Sequence, residues 1–309
     1  LMHKTLTTGQ DSIAPIFDDG VPDPFTAAQS GGYSLSTIPS AYLMPYENWD
    51  LSLGFATGYS LHTPAGDLYD LTAARLQRVD GIVLIAAHLS RAEVLTEWLD
   101  PSVIDEFDPD TRDLEFDIYS PDCPNKPPFT ADFIAAFRER QRARNRRITA
   151  WAEEMLATLR RRNDGETERA FVTHRTMCDV RWIDPTIDPN GRAPGASYLG
   201  NPRTVNVGPA GLARFSTLRS WLSQWSYDLS NSKAAVNATK IHRTPVLQIE
   251  NEADDAVPAS HNPIIHNALT VANKEFVSIK GATHFYQGQP EHVSACIDGI
   301  IDWSHRNDL

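Results

Sequence analysis

The sequence predicts an α/β fold: a mostly parallel sheet with helices on both faces. Three runs predict it. Val79–Ala87, V-D-G-I-V-L-I-A-A, is a β-branched stretch introduced by Asp80-Gly81. Thr244–Pro258, T-P-V-L-Q-I-E-N-E-A-D-D-A-V-P, and Ser278–Gln287, S-I-K-G-A-T-H-F-Y-Q, each read as a buried strand ending in a polar residue at its C-terminal tip. Helical patterns alternate with the last strands, and parallel neighbours require such crossovers.

The remaining elements follow in chain order. Residues 1–50 hold no period for long, because Pro and Gly are scattered through I-A-P-I-F-D-D-G-V-P-D-P-F. The 79–87 strand carries His88 at its tip. Residues 90–130 read as loop with short helices, acidic at first and ending in the Pro-rich P-D-C-P-N-K-P-P. A long helix is expected from Ala131 to Arg162, with Ile148, Trp151, Met155 and Leu159 on one stripe. Arg138, Arg140, Arg142, Arg144 and Arg146 recur at every second position and Arg147 follows. That spacing circles a helix and predicts a solvated surface with acidic neighbours. Ala170–Thr173 is a short strand, and 180–210, rich in Asp, Pro, Gly and Asn, is loop. Phe215–Leu229 reads as an aromatic-rich helix that packs Phe215, Leu218, Leu222 and Trp225 into a core. Strand 245–250, a helix from Pro263 to Val271, strand 275–280 and a final helix complete the chain. On that last helix Val293, Cys296, Ile297, Ile300 and Ile301 recur at helical spacing.

Composition narrows the function. The 309 residues suit one large α/β domain with an insertion, or two domains, and 41% are hydrophobic, enough for a core. A net charge of −12 argues against nucleic acid or an anionic membrane as the main partner. No apolar run reaches the roughly 18 residues that span a bilayer. Cys123, Cys178 and Cys296 are isolated and form no C-x-x-C, so no zinc or redox motif is present; they read as reduced thiols of a cytoplasmic protein. The start, Leu1-Met2-His3, shows no basic stretch followed by an apolar one.

Chemistry points to the two C-terminal strand tips. Side chains at the C-terminal ends of parallel strands line a crevice. The first tip delivers an acid, Asp254 or Asp255, of which only one should face a histidine because neighbouring side chains diverge. The second delivers His284 after Gly281-Ala282-Thr283, small residues that allow a close turn. A carboxylate that orients an imidazole makes a general base able to activate a hydroxyl. His88 is the next-best histidine, being also at a strand tip.

These motifs resemble the α/β-hydrolase superfamily from about Asp80 to the end. P-V-L-x-I-x-x-x-x-D-x-x-V-P at 245–258 is similar to the family's acid strand and loop, with the acid at Asp254. I-K-G-A-T-H at 279–284 is similar to its histidine loop, with the histidine at His284. Asn251 stands where the family usually has Gly, and Asn also tolerates left-handed backbone angles. The resemblance implies a core of residues 1–89 and 242–309, with 90–241 as a largely helical lid inserted after the sixth strand.

The family's nucleophile elbow, G-x-S-x-G, is absent. The best substitute is Ala28-Gln29-Ser30-Gly31-Gly32, in which Ser30 attacks and the Gly31 N–H serves an oxyanion hole. A second candidate, Gly54-Phe55-Ala56-Thr57-Gly58, has alanine in place of serine, leaving Thr57 or Ser60 to substitute. Too few residues precede Ser30 for the family's early strands. Either an N-terminal portion is absent from this chain or residues 1–60 are rearranged. A covering element, a partner chain or a second copy is then expected at the sheet edge.

The resemblance therefore implies a Ser30–His284–Asp254 hydrolase of esters or lactones. Its substrate is a small, largely apolar molecule, with Trp221, Trp225 and Phe215 of the lid forming the pocket and no cofactor or metal required. The alternatives are an inactive binding or scaffold protein with a degenerate elbow, and a lyase or carbon–carbon hydrolase on the same fold.

Overall fold

A computed structural model describes residues 62–68 and 79–309. Three strands form one parallel sheet in the order β1–β4–β5: β1 is Ile82–Ile85, β4 Val246–Asn251 and β5 Lys274–Ile279. Ile85 lies opposite Ile249, and Asn251 opposite Ile279. β4 is the middle strand and is buried along nearly its whole length, which is why it reads as an unbroken apolar run.

Helices cover both faces, and the period-2 alternation of strand side chains decides which residue goes where. Ile82, Leu84 and Val246 pack with Ala234, Ala238, Ile265 and Leu269 of α5 (Ala234–Ala238) and α6 (His261–Ala268) with its cap. Leu247, Ile249 and Ile279 pack on the opposite face with Cys296 and Trp303 of α7 (Pro290–Arg306), joined by Val83 and Ile85. Gly81 permits this closure: a Cβ there would stand 2.8 Å from the Trp303 ring. The fold is therefore α/β, with a parallel sheet whose middle strand is covered on both faces; β5, expected to be a buried strand, has only Ile279 buried and leaves Phe276 and Val277 exposed.

Between β1 and β4 lie the remaining elements. They are α1 (Arg91–Trp98), α2 (Ala131–Arg162), β2 (Ala170–Val172), α3 (Pro202–Val207), β3 (Phe215–Thr217) and the short α4 (Leu218–Ser220), which runs into a wide helical turn, Trp221–Trp225. β2 and β3 form a separate antiparallel pair. The long helix begins where Thr130 accepts a hydrogen bond from the Phe133 N–H and ends at Asn163, whose φ of 47° takes the left-handed cap. Ile148 and Leu159 are buried, with Trp151 and Met155 packed partly against the same core. None of the described helices is long and apolar enough to cross a membrane.

Several expectations are corrected. Phe215–Leu229 is not one helix. Phe215–Thr217 is a strand paired with β2, and Thr217 then caps a new helical start by accepting from the Ser220 N–H. Phe215 is consequently exposed, whereas Leu218, Leu222 and Trp225 are buried. The 180–210 segment is not loop throughout, since it holds a 3-10 turn at Val180–Trp182 and α3. On α7, Cys296 and Trp303 are buried with Ile300 packed against them, while Val293, Ile297 and Ile301 face outward.

The arginines of α2 do find acidic neighbours, but Arg144 is not solvated. It is fully buried, grips Glu106 with two bonds of 2.9 and 2.7 Å, and donates to the carbonyls of Asp100, Arg175 and His174. Arg142 instead makes a surface pair with Glu139 on its own helix. We predict that Arg144→Ala costs about 3 kcal/mol or more, because it strands buried carbonyls and a carboxylate. Arg142→Ala costs less than about 0.5 kcal/mol. Urea unfolding of the two variants measures the difference, and equal losses would contradict the assigned role of Arg144.

Candidate active site

Two loops at the C-terminal rim of the sheet build the site. β4 ends at Asn251, and the chain turns at once: the Asp254 N–H donates to the Asn251 carbonyl at 3.1 Å. Asp254 is buried, and its Oδ1 accepts from the N–H groups of Ala256 and Val257, both at 2.7 Å. That pair fixes the carboxylate and leaves Oδ2 to point elsewhere. Oδ2 lies 2.9 Å from Nδ1 of His284.

The histidine loop is positioned as tightly. Gly281 takes φ +77°, which an L side chain rarely adopts, and so starts the close turn after β5. Asn251 reaches across: its Nδ2 donates to the carbonyls of Thr283 and His284 at 2.9 and 3.3 Å, and its Oδ1 accepts from the Tyr286 hydroxyl at 2.6 Å. Asn251 is not in a left-handed conformation, so its backbone tolerance is not why it is there. Its side chain ties the two loops together.

Electrostatics distinguish the histidines of the rim. Burial pushes the His284 pKa down, but the charge and hydrogen bond of Asp254, helped by Asp255, outweigh it and hold it above 6.5. His88 lies at the tip of β1, and its Nδ1 is sealed from solvent with no hydrogen-bond partner among the described residues. Burial, then the charges of Arg91 and His284, lower it to about 3. His261 is buried, accepts from the Leu89 N–H at 3.3 Å, and is lowered to about 2 by burial and then Arg181. Asp255 is raised by burial and then by the adjacent Asp254 charge, and its Oδ1 is buried without a partner among the described residues. With the Nδ1 proton committed to Asp254, Nε2 of His284 is the nitrogen left to take a proton from a reacting group.

The structure brings Asp254 and His284 together. Ser30 and Gly31, and the alternatives Ala56, Thr57 and Ser60, lie outside the described residues. Trp221 and Trp225 do not line this site: both are sealed in the core beneath α2, and Phe215 is on an exposed strand. Among the described residues, the aromatic rings that flank His284 are Phe285, with centroids 4.5 Å away, and Tyr198 at 6.0 Å. Behind Tyr198 stand Trp98 and then Trp182. Tyr198 and Trp182 carried no signal in the sequence, since both sit in segments without a period. Among the described residues no group of three or more His, Cys, Asp and Glu is arranged to hold a metal ion.

No protein-family model matches the chain, and no curated protein sequence matches it. Among solved structures, that of DcsB in complex with its substrate analogue aligns at 14% identity, with a TM-score of 0.38, over 76% of this chain and 59% of that one. A likeness that weak carries no argument about fold or function.

The depressed histidines set an acid limit on stability. For His88 and His261 the folded pKa lies below the ordinary 6.5. The stability they contribute is therefore full above pH 6.5 and is lost progressively as pH falls below it. His284 runs the opposite way: its contribution is full below 6.5 and lost as pH rises through its raised value. His261→Asn is expected to flatten the loss of stability between pH 6.5 and 4 in urea titrations, and an unchanged slope would refute the assignment.

Proposed function

We propose that this chain is a serine hydrolase of the Ser-His-Asp type, built on an α/β-hydrolase-like core with 90–241 as a lid, that cleaves an ester or lactone of a small apolar substrate. The observation that carries the reading is the 2.9 Å contact between Asp254 Oδ2 and His284 Nδ1 at neighbouring tips of a parallel sheet. His284 acts as general base through Nε2, and Asp254 holds the ring and its tautomer and stabilises the imidazolium once it forms. Ser30 is the proposed nucleophile, with the Gly31 N–H in the oxyanion hole. No cofactor is required.

Tyr198 and Phe285 support an apolar substrate. Phe285 is 63% exposed beside the imidazole, and the two rings stand 5.8 Å apart. On this reading they take the part that the resemblance implied for Trp221, Trp225 and Phe215. One observation favours a second reading, an inactive binding protein on the same fold: the sequence has no G-x-S-x-G. Fluorophosphonate labelling separates the two, since labelling at Ser30 favours the enzyme and no labelling favours the binder.

Kinetics on a short-chain aryl ester test the roles. Activity requires neutral His284, so kcat/KM is expected to fall as pH drops through a pKa above the ordinary 6.5. Asp254→Asn is expected to lose on the order of 10³–10⁴-fold in kcat. His284→Ala is expected to abolish turnover; a rate equal to wild type would overturn the reading.

A further inference from the structure

The loop Arg181–Arg192, which follows α2 and β2 in the chain, is hydrogen-bonded to the acid loop along its length. The Gly191 N–H donates to the Glu252 carbonyl at 3.2 Å, and Asn190 Nδ2 to the Asp254 carbonyl at 2.8 Å. Trp182 Nε1 donates to the Asp255 carbonyl at 2.8 Å. Asp188 accepts from the N–H and hydroxyl of Ser260 at 3.0 and 3.2 Å. The acid loop from Glu252 to Ser260 is thus gripped at both ends and in its middle.

The gripping loop is itself organised by one side chain. Arg192 donates to the carbonyls of Arg181, Ile187 and Asp188 and to Asn190 Oδ1, at distances between 2.6 and 3.0 Å. The Asn190 amide is therefore held from its oxygen end by Arg192 while its nitrogen end holds Asp254. Fixed donors of this kind set a functional side chain more finely than the chain's own turn can.

We infer that Asn190, oriented by Arg192, and Trp182 are positioning residues that set the Asp254 carboxylate against His284. The inference rests on the hydrolase reading for its catalytic meaning but not for its geometry. None of the three side chains reaches His284 itself; they act through the backbone of Asp254 and Asp255. Among the described residues, the charged and titratable groups that face His284 are Asp254 and Asp255 of the acid loop, His88 at the tip of β1 and Tyr198, whose ring stands 6.0 Å away. Loosening the acid loop weakens the two carboxylates while the burial of the ring persists, so the imidazole becomes less basic.

The test is an NMR titration of the His284 imidazole in wild type, Asn190→Ala and Trp182→Phe, with near-ultraviolet circular dichroism to confirm native packing. Trp182→Phe keeps an aromatic ring against Trp98 while removing the Nε1 donor and part of the indole volume, so with native packing confirmed it decides the matter should Asn190→Ala fail to fold. The expected result is a lower His284 pKa in the folded variants, together with a drop in kcat of about 10-fold at unchanged KM on an aryl ester. A His284 pKa equal to wild type in natively packed variants would overturn the proposal. If wild type hydrolyses no ester, the hydrolase reading fails, and the imidazole titration still decides whether the loop sets the Asp254–His284 pair.

Discussion

The hydrogen bond between Asp254 and His284 is the constraint that gives the rest of the architecture its meaning. It exists because β4 and β5 are parallel and in a register that places Asn251 opposite Ile279. Both strands therefore finish at one rim, and each chain turns within a few residues. A turn alone leaves a carboxylate free to rotate. Here the Ala256 and Val257 N–H groups hold Oδ1, so the remaining oxygen has one direction left. Asn251 fixes the imidazole from the other side through the backbone of its loop. The contact is thus set by backbone groups on both partners rather than by the attraction of the pair itself.

The segment between β1 and β4 supplies the rigidity behind that rim. Asp179 is buried with Arg138 and Arg181, and Arg175 is buried between Asp100 and Asp117. Burial opposes the charge on Asp179, but the two guanidiniums win and hold its carboxyl well below the usual carboxylate range. Buried ion pairs are poor sources of net stability, since desolvation offsets most of the attraction. They do penalise every arrangement that separates the partners. Arg181 begins the loop that holds the acid loop, so a network with little stabilising value anchors the segment on which the geometry of Asp254 depends.

What could be read from the sequence depended on whether a residue's surroundings are local. The strands 82–85 and 246–251 were legible because apolar runs bounded by polar tips have few other uses; 274–279 was placed as a strand but not in its burial, since K-E-F-V-S-I is half polar and only Ile279 of it is buried. The long helix was legible because its apolar stripe lies within its own span. Asp254 and His284 were legible as residue types at strand ends, each with its own local pattern. The strand at Phe215–Thr217 was not, because its partner β2 lies some forty residues away and its own pattern is helical. Arg144 looked like any other arginine of a solvated helix, since the carbonyls it satisfies belong to residues 100, 174 and 175. Asn251 was visible only as a departure from a resemblance, and its cross-loop amide bonds have no local signature.

The rim histidines show why residue type and strand position do not by themselves identify a base. His88 and His284 both sit at tips of parallel strands, and His261 opens the helix beside them. All three imidazoles are desolvated. Burial alone would leave each of them neutral and weakly basic, which is the state of His88 at about 3 and His261 at about 2. Only at His284 does a carboxylate reach Nδ1, and only there does the pKa move the other way. A buried ring becomes a useful proton acceptor when an acid makes its charged form tolerable, and it stays one only while that acid is held in line. The chemistry of this rim therefore belongs less to the histidine than to the loop that presents Asp254, and through it to the residues that keep that loop still.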